Sequence, residues 1–351
     1  MTTFIQLHIL TAYAPSNLNR DDTGRPKTAI MGGVERLRVS SQSLKRAWRT
    51  SEVFEDALSG HIGTRTRCMG PEIYEQLRAK GVDEKLAISW AGKIAAEFGK
   101  PKNDKAATPV KNLEIEQLVH ISPEEHQQIQ QLIEVLAVEN REPNSEELKL
   151  LRANAQAVDI ALFGRMLASS PEFNVEAACQ VAHALGVSAV TVEEDFFTAV
   201  DDLNRKEDSG SAHMGEQGFA SALFYSYICI SRDLLLENLN NNEELVSRTL
   251  RALTETALTV SPGGKQNSFA SRAYASYVMA EKGKHQPRAL SVAFFSPVRG
   301  EEQHIQAISC LQQQQQKFTR TYGQQAGEQR YEMNVESGEG TLQELLNFVS
   351  Q

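Results

Sequence analysis

Strand-like segments are scattered along the whole of this 351-residue chain, and the stretches between them are too long and too unlike one another for a regular β-α-β repeat. Phe4–Leu10 alternates: Ile5, Leu7 and Ile9 face one way, Gln6 and His8 the other, the pattern of a half-buried strand. Arg36–Val39, Val158–Met166, Phe219–Ile230, Tyr274–Ala280 and Ala289–Phe295 also have strand character, while Glu176–Leu185 reads equally as strand or helix. Helical periodicity occupies 71–99, 123–139, Leu245–Val260, Glu301–Phe318 and Leu342–Val349. Ser261-Pro262-Gly263-Gly264 stops the third of these. Strands and helices that mix without a fixed order point to an α+β fold built on one sheet.

Two segments interrupt that core. Residues 111–150 hold nine Glu and a net charge of −6, as a solvated helical insertion would. Residues 189–218 place Phe196-Phe197 between acidic flanks and end in Gly210-Ser211-Ala212-His213-Met214-Gly215, as a protruding hairpin would. Tyr13–Gly33 reads as one long loop, marked by Pro15, Asn17, Asn19, Gly24, Pro26 and Gly32-Gly33. Long loops within compact domains usually serve function.

Charge is unevenly placed. The whole chain carries −9, yet residues 1–51 carry +5 and the remainder −14. Affinity for nucleic acid follows local potential, so an acidic chain can hold a basic seat. A helix capped by Ser41 gathers Leu44, Ala47, Trp48, Ser51, Phe54 and Leu58 on one face and Gln42, Lys45, Arg46 and Arg49 on the other. Arg38 extends the cationic stripe, and the helix N-terminus adds free N–H groups and positive dipole. The stripe suits recurring phosphates and has no base-reading set. By itself it fits an ordinary solvated face better than a phosphate seat; the neighbouring basic loop, with Arg20, Arg25 and Lys27, shifts the balance toward phosphate.

The sequence excludes several classes. No apolar run approaches the roughly 18 residues of a membrane span, and the N-terminus lacks the pattern of a secretory signal. Cys68, Cys179, Cys229 and Cys310 are far apart, which argues against a disulfide framework or zinc knuckle and for a reducing cytoplasm. The eight histidines show no metal-pair spacing, and no nucleophile elbow, Walker loop or dinucleotide fingerprint occurs. No cofactor is expected.

Asn17-Leu18-Asn19-Arg20-Asp21-Asp22, the block from Gly32-Gly33 through Arg38-Val39-Ser40-Ser41-Gln42-Ser43-Leu44-Lys45-Arg46-Ala47, and Val158–Met166 resemble the CasC family. So do Phe197–Leu203, Gly210–His213 and Pro262-Gly263-Gly264-Lys265-Gln266. CasC is the repeated backbone subunit of the type I-E CRISPR Cascade complex. The resemblance implies a right-hand shape with a modified ferredoxin-like (RRM-like) palm. It puts palm at 1–58, 176–188 and 219–351, helical fingers at 59–175 and a thumb at 189–218. Six copies would stack head to tail along the crRNA, beside other Cascade subunits. They would present bases to target DNA, and a recruited nuclease-helicase would act on the assembly. It further implies that Ser40, Gln42, Lys45 and Arg49 hold guide phosphates, with Arg20 and Lys27 nearby; Arg38 and Arg46 join this RNA-binding set through the charge pattern alone. Met166 would contact a base or ribose. Phe197 and Thr198 would wedge at a kink from the thumb tip, and Lys265 would reach backbone or a neighbouring subunit. The Gly-Phe-aromatic signature with which RRMs stack bases is missing, which agrees with gripping the backbone.

Charge adds one expectation of its own. Residues 193–208 carry a net −5, so these acidic flanks should avoid phosphate and lean toward basic residues of the next subunit. Two alternatives stand beside the scaffold. Asp21 and Asp22 resemble the acid of RNA-cleaving type III backbones and could bind a divalent metal; the preferred reading is that they shape the loop, making the chain no enzyme. A general single-strand-binding protein would share the basic helix without needing the thumb.

Overall fold

The structure is a computed structural model that describes residues 2–152, 156–199, 213–323 and 327–351. Its strands are β1 (Phe4–Ser16), β2 (Thr28–Met31), β3 (Val34–Val39), β4 (Thr64–Thr66), β5 (Val119–Ile121), β6 (Cys179–Val181), β7 (Ala184–Gly186), β8 (Glu193–Ala199), β9 (His213–Ser231), β10 (Tyr277–Gly283) and β11 (Gln329–Asn334). The helices are α1 (Ser41–Arg49), α2 (Glu52–Ala57), α3 (Met69–Ala79), α4 (Glu84–Phe98), α5 (Pro123–Glu139), α6 (Val158–Phe163), α7 (Arg232–Asn238), α8 (Glu243–Thr259), α9 (Gln266–Phe269), α10 (Gln303–Tyr322) and α11 (Leu342–Ser350). The fold is α+β with a large antiparallel sheet. Two compact units share the chain. One comprises Met1–Glu55, Gln180–Ser231 and Leu250–Gln351; the other, Asp56–Cys179 and Arg232–Thr249.

The first unit is the sheet, in the order β11-β10-β1-β9-β7-β3-β2, with β8 pairing the far end of β9. Along the chain β1, α1, β7, β9, α8 and β10 run strand, helix, strand, strand, helix, strand. The central strand is buried on both faces, not one. Ile5, Leu7 and Ile9 are at most 1% exposed, and Gln6 and His8 are equally inaccessible. The even-numbered face lies in a core where Leu10, Tyr225, Tyr277 and Met279 pack against Ala307, Ile308 and Leu311 of α10. Burying polar groups there requires partners. The Tyr225 hydroxyl accepts from Leu290 N and bonds His8 Nδ1 at 2.9 Å. His8 Nε2 meets Glu281 Oε2 at 3.3 Å. Arg288 and Gln315 donate to the same carboxylate, and the Tyr227 hydroxyl donates to Gln6 Oε1.

Other departures have similar causes. Tyr13–Gly33 is not one loop: β1 runs on to Ser16, and β2 and β3 form a hairpin about Gly32-Gly33. Val158–Phe163 is helix α6 rather than strand. Residues 158–162 are all buried, so no periodicity separates the two states. Asp159 among them bonds Gly63 N at 2.9 Å and His120 Nε2 at 2.7 Å. Residues 291–294 form a 3-10 turn instead of a strand, pinned where Arg36 donates to the Phe294 carbonyl. The ambiguous 176–185 segment ends as the two short strands β6 and β7. β11 has a polar sequence and occupies the sheet edge, where half its surface stays wet.

The second unit holds its own core. Ile73, Leu77, Trp90, Ile94 and Phe98 from α3 and α4 pack with Ile129, Ile133 and Leu136 of α5. α5 starts on a capping box, in which Ser122 accepts from Glu125 N and the Glu125 carboxylate accepts from Ser122 N. Arg165 reaches that buried carboxylate at 2.8 Å. The helices expected at 71–99 and 123–139 are all here, the first split by the turn at Lys80–Asp83.

Candidate nucleic-acid interface

Ser40, not Ser41, caps α1. Its backbone is extended, and its Oγ accepts from Ser43 N at 3.3 Å. The helix is also shorter than its periodicity implied. Thr50 Oγ1 bonds the Arg46 carbonyl, and Ser51 then starts α2 by accepting from Phe54 N. The apolar face still forms as expected, with Leu44, Trp48, Phe54 and Leu58 buried. Gln42 and Arg46 are exposed, and Lys45 and Arg49 are half-buried on the other side. Ser40 itself is nearly buried, its hydroxyl oxygen already engaged as the cap.

The loop from Asn17 to Lys27 is braced against this helix by asparagine side chains, which satisfy backbone groups that no ladder reaches. Asn19 Oδ1 accepts from Ser40 N at 2.9 Å, and its backbone carbonyl accepts from Lys27 N at 2.8 Å. Asn17 Nδ2 donates to the carbonyls of Gly24 and Gly218 at 3.0 and 2.9 Å. Gly264 completes the brace from the turn after α8. A Cβ there would stand 2.2 Å from the Leu18 carbonyl oxygen, so only glycine permits the approach. Between loop, helix and turn opens a cleft of about 680 Å³, lined among others by Arg20, Asp21, Asp22, Ser43, Arg46 and Gly263. Lys265 follows that turn in a left-handed conformation.

Asp21 organises its own loop. Its Oδ1 accepts from Thr23 N at 2.9 Å, Thr23 Oγ1 at 2.7 Å and Arg25 N at 3.0 Å. The Thr23 hydroxyl above all, then these amides, hold its carboxyl below the usual aspartate range. No group of three or more His, Cys, Asp or Glu side chains suited to a metal occurs among the described residues.

Two cations of the basic stripe stand apart from α1. Arg38 donates from Nε to the Thr28 carbonyl at 3.3 Å and from Nη1 to His183 Nδ1 at 2.9 Å, with Lys27 half-buried close by. Arg36 does not join them; it is fully buried and donates to Gly186 O at 3.1 Å and Phe294 O at 3.0 Å.

The arm differs from its sequence reading. Phe197 and Thr198 lie within β8, opposite Gly215 and Met214, rather than at a tip. The Phe197 ring covers Gly215, where a Cβ would come within 2.6 Å of it. Residues 200–212, including Asp201, Asp202, Glu207 and Asp208, lie outside the described residues. Glu194 has its cationic partner within its own chain, Arg25 at 2.9 Å. Met166 belongs to the second unit and is 83% exposed.

The first unit thus brings Arg20, Arg46 and the turn before Lys265 around one cleft, and holds Lys27 and Arg38 together as a separate cationic pair. Sequence reasoning missed the anchoring roles of Asn17 and Asn19 and the whole of His183. Two asparagines flanking an apolar residue in a loop were the available signal for the first; His183 has none.

The family model described as "CT1975-like protein" (Cas_CT1975) matches residues 5–347, and the chain belongs to that family. A solved chain titled "CRISPR RNA-guided surveillance complex, pre-nicking" is 29% identical, with a TM-score of 0.84 over 99% of both chains. A chain titled "CRISPR RNA-guided surveillance complex" shares the fold at 23% identity and a TM-score of 0.74, covering 97% of this chain and 93% of that one. No curated protein matches. Among the described residues no helix is long and apolar enough to cross a membrane.

Proposed function

We propose that this chain is a component of a CRISPR RNA-guided surveillance complex of the Cascade type, and within it the crRNA-binding backbone subunit of a type I-E system. Copies polymerise head to tail along the guide spacer, six in the full complex, kink it at intervals and present the bases between for pairing with target DNA. Other Cascade subunits complete the assembly, and a recruited nuclease-helicase acts upon it in the cytoplasm. The subunit itself is a scaffold, not an enzyme, and uses no cofactor.

The observation that carries this reading is the junction at Asn19. It ties a cationic loop to the N-terminus of a helix whose polar side holds the exposed Gln42 and Arg46 and the half-buried Lys45 and Arg49. Such a surface offers charge and amide donors to successive phosphates and nothing to base edges. The order β10-β1-β9-β7 within a strand-helix-strand-strand-helix-strand chain supports a modified ferredoxin-like palm. An RRM stacks bases on an open sheet face. Here β1 is buried on both faces, which favours backbone binding at the sheet's margin.

Purification of the tagged chain from its host, followed by sizing and sequencing of bound nucleic acid, tests the proposal. RNA of uniform length with a repeat-derived end is expected. Heterogeneous RNA would instead favour a general single-strand-binding protein.

A further inference from the structure

We propose that His183, with Arg38 and Lys27, forms a second phosphate seat beside α1, in which His183 donates a hydrogen bond from Nε2 to the backbone of single-stranded RNA. This rests on the RNA-binding reading above and adds a residue and a linkage to it. His183 occupies the turn between β6 and β7 and is exposed. The pairing of β3 with β7, Arg38 opposite Leu185 and Val39 opposite Ala184, brings it beside Arg38. Lys27 arrives from the loop, its carbonyl accepting from Arg38 N at 2.8 Å.

The hydrogen bond sets the tautomer. A guanidinium only donates, so His183 Nδ1, 2.9 Å from Arg38 Nη1, must be the accepting nitrogen. The ring proton of the neutral imidazole then sits on Nε2, which is left to donate outward. Neither Arg38 nor Lys27 has a carboxylate partner among the described residues. On these elements the acid of β3, Glu35, is engaged by Thr28 Oγ1 at 2.6 Å. On the β9 side the turn is tied by Ala182 N, which donates to the Tyr227 carbonyl at 2.9 Å. Arg38 and Lys27, two like charges with no carboxylate between them, repel each other until an anion arrives.

The linkage follows from the same cluster. Partial burial, then Arg38 and Lys27, push His183 below the ordinary histidine range and so favour its neutral form at neutral pH in the free protein. A phosphate placed among the three reverses the local potential and favours the imidazolium; the added proton goes on Nδ1, which releases the Arg38 guanidinium from that nitrogen to bind the phosphate itself. Binding therefore takes up a proton, and by reciprocity affinity rises as pH falls.

Filter binding of a uridine oligoribonucleotide to the full chain, between about pH 8 and about pH 5.5, tests this. Wild type should gain roughly fivefold in affinity on acidification, within the limit of one proton. His183→Gln keeps a neutral donor and should match wild type at the alkaline end while losing the gain. His183→Ala should be weaker throughout. Lys45→Ala with Arg49→Ala should bind less tightly at every pH yet retain the slope. A wild-type slope in His183→Gln, or none in wild type, overturns the proposal. Equal, salt-independent binding by wild type and the Lys45/Arg49 double variant instead overturns the RNA-seat reading on which it stands.

Discussion

At the residue scale, single polar side chains decide what the surface can do. Asp21 shows this most clearly. One of its carboxylate oxygens takes three donors from Thr23 and Arg25, so its charge is spent on closing the loop. Such Asx geometry presets the turn that carries Arg20 and Lys27. Those bonds fit a loop-forming role, whereas a metal-dependent nuclease would turn its carboxylate to an ion. Complementary RNA incubated with the guide-loaded protein and Mg²⁺ in single turnover should therefore remain intact. Cleavage that disappears in Asp21→Ala or Asp22→Ala would make the chain an enzyme. Arg36 makes the converse point. By composition it belonged with the basic residues of the N-terminal segment, but it is buried against backbone carbonyls and contributes nothing to the surface. Asn17 and Asn19 read as turn formers, yet each also spans a gap to another element, Gly218 of β9 and Ser40 before α1. The residue type was legible in the sequence; the distant partner was not, because no local rule ties positions 17 and 218.

At the scale of elements, α1 was the most readable part of the site. Its two faces follow from a period of 3.6 residues, and the buried Leu44 and Trp48 and exposed Gln42 and Arg46 obey it. Its limits were less readable, since Ser40 and Ser41 are both good caps and only the chain's path through β3 chooses between them. Removing two cations from this face should act alike on all guides. With Lys45→Ala and Arg49→Ala, the slope of log affinity against log salt should shrink by about 1.4, since each phosphate of a single strand that is no longer neutralised takes away roughly 0.7. A salt titration of guide retention would show it; an unchanged slope would return the helix to ordinary solvated surface. The strand expected at Val158–Met166 failed for the opposite reason. Burial on every side erases the periodicity that would mark a helix, and Asp159 is tolerated inside only because His120 and Gly63 satisfy it.

At the scale of the whole molecule, the buried network under α10 makes stability depend on pH. Burial holds His8 below the ordinary histidine range, outweighing its hydrogen bond to Glu281. Burial also pushes Glu281 up, but His8 and Arg288 prevail and bring it down to about 2 from an ordinary 4.5. Both groups bind protons more readily in the unfolded chain, so both contributions are present at neutral pH and lost on acidification. The His8 contribution should fade below about pH 6.5. That of Glu281 should go as pH falls from about 4.5 towards 2. Melting temperatures should decline across both windows. Glu281→Gln should melt lower than wild type at neutral pH, because Arg288 loses its carboxylate, and should decline less in the more acidic window.

The amino-acid sequence by itself determined the α+β class, the helical insertion, the amphipathic faces of α1 and α8, and the concentration of positive charge near the N-terminus. Each of these depends on neighbours within a few turns of chain or on composition alone, and such signals survive without knowledge of the fold. Only the tertiary structure decided that Gln6 and His8 are interior, that Arg36 is withdrawn, that Phe197 lies across Gly215, and that His183 stands beside Arg38. Those outcomes require α10 to close over the sheet and β7 to lie between β9 and β3, pairings made between residues far apart in the chain. Hydrophobic pattern states which face a segment wants buried; what covers the other face, and which polar partners wait there, is settled when the elements pack.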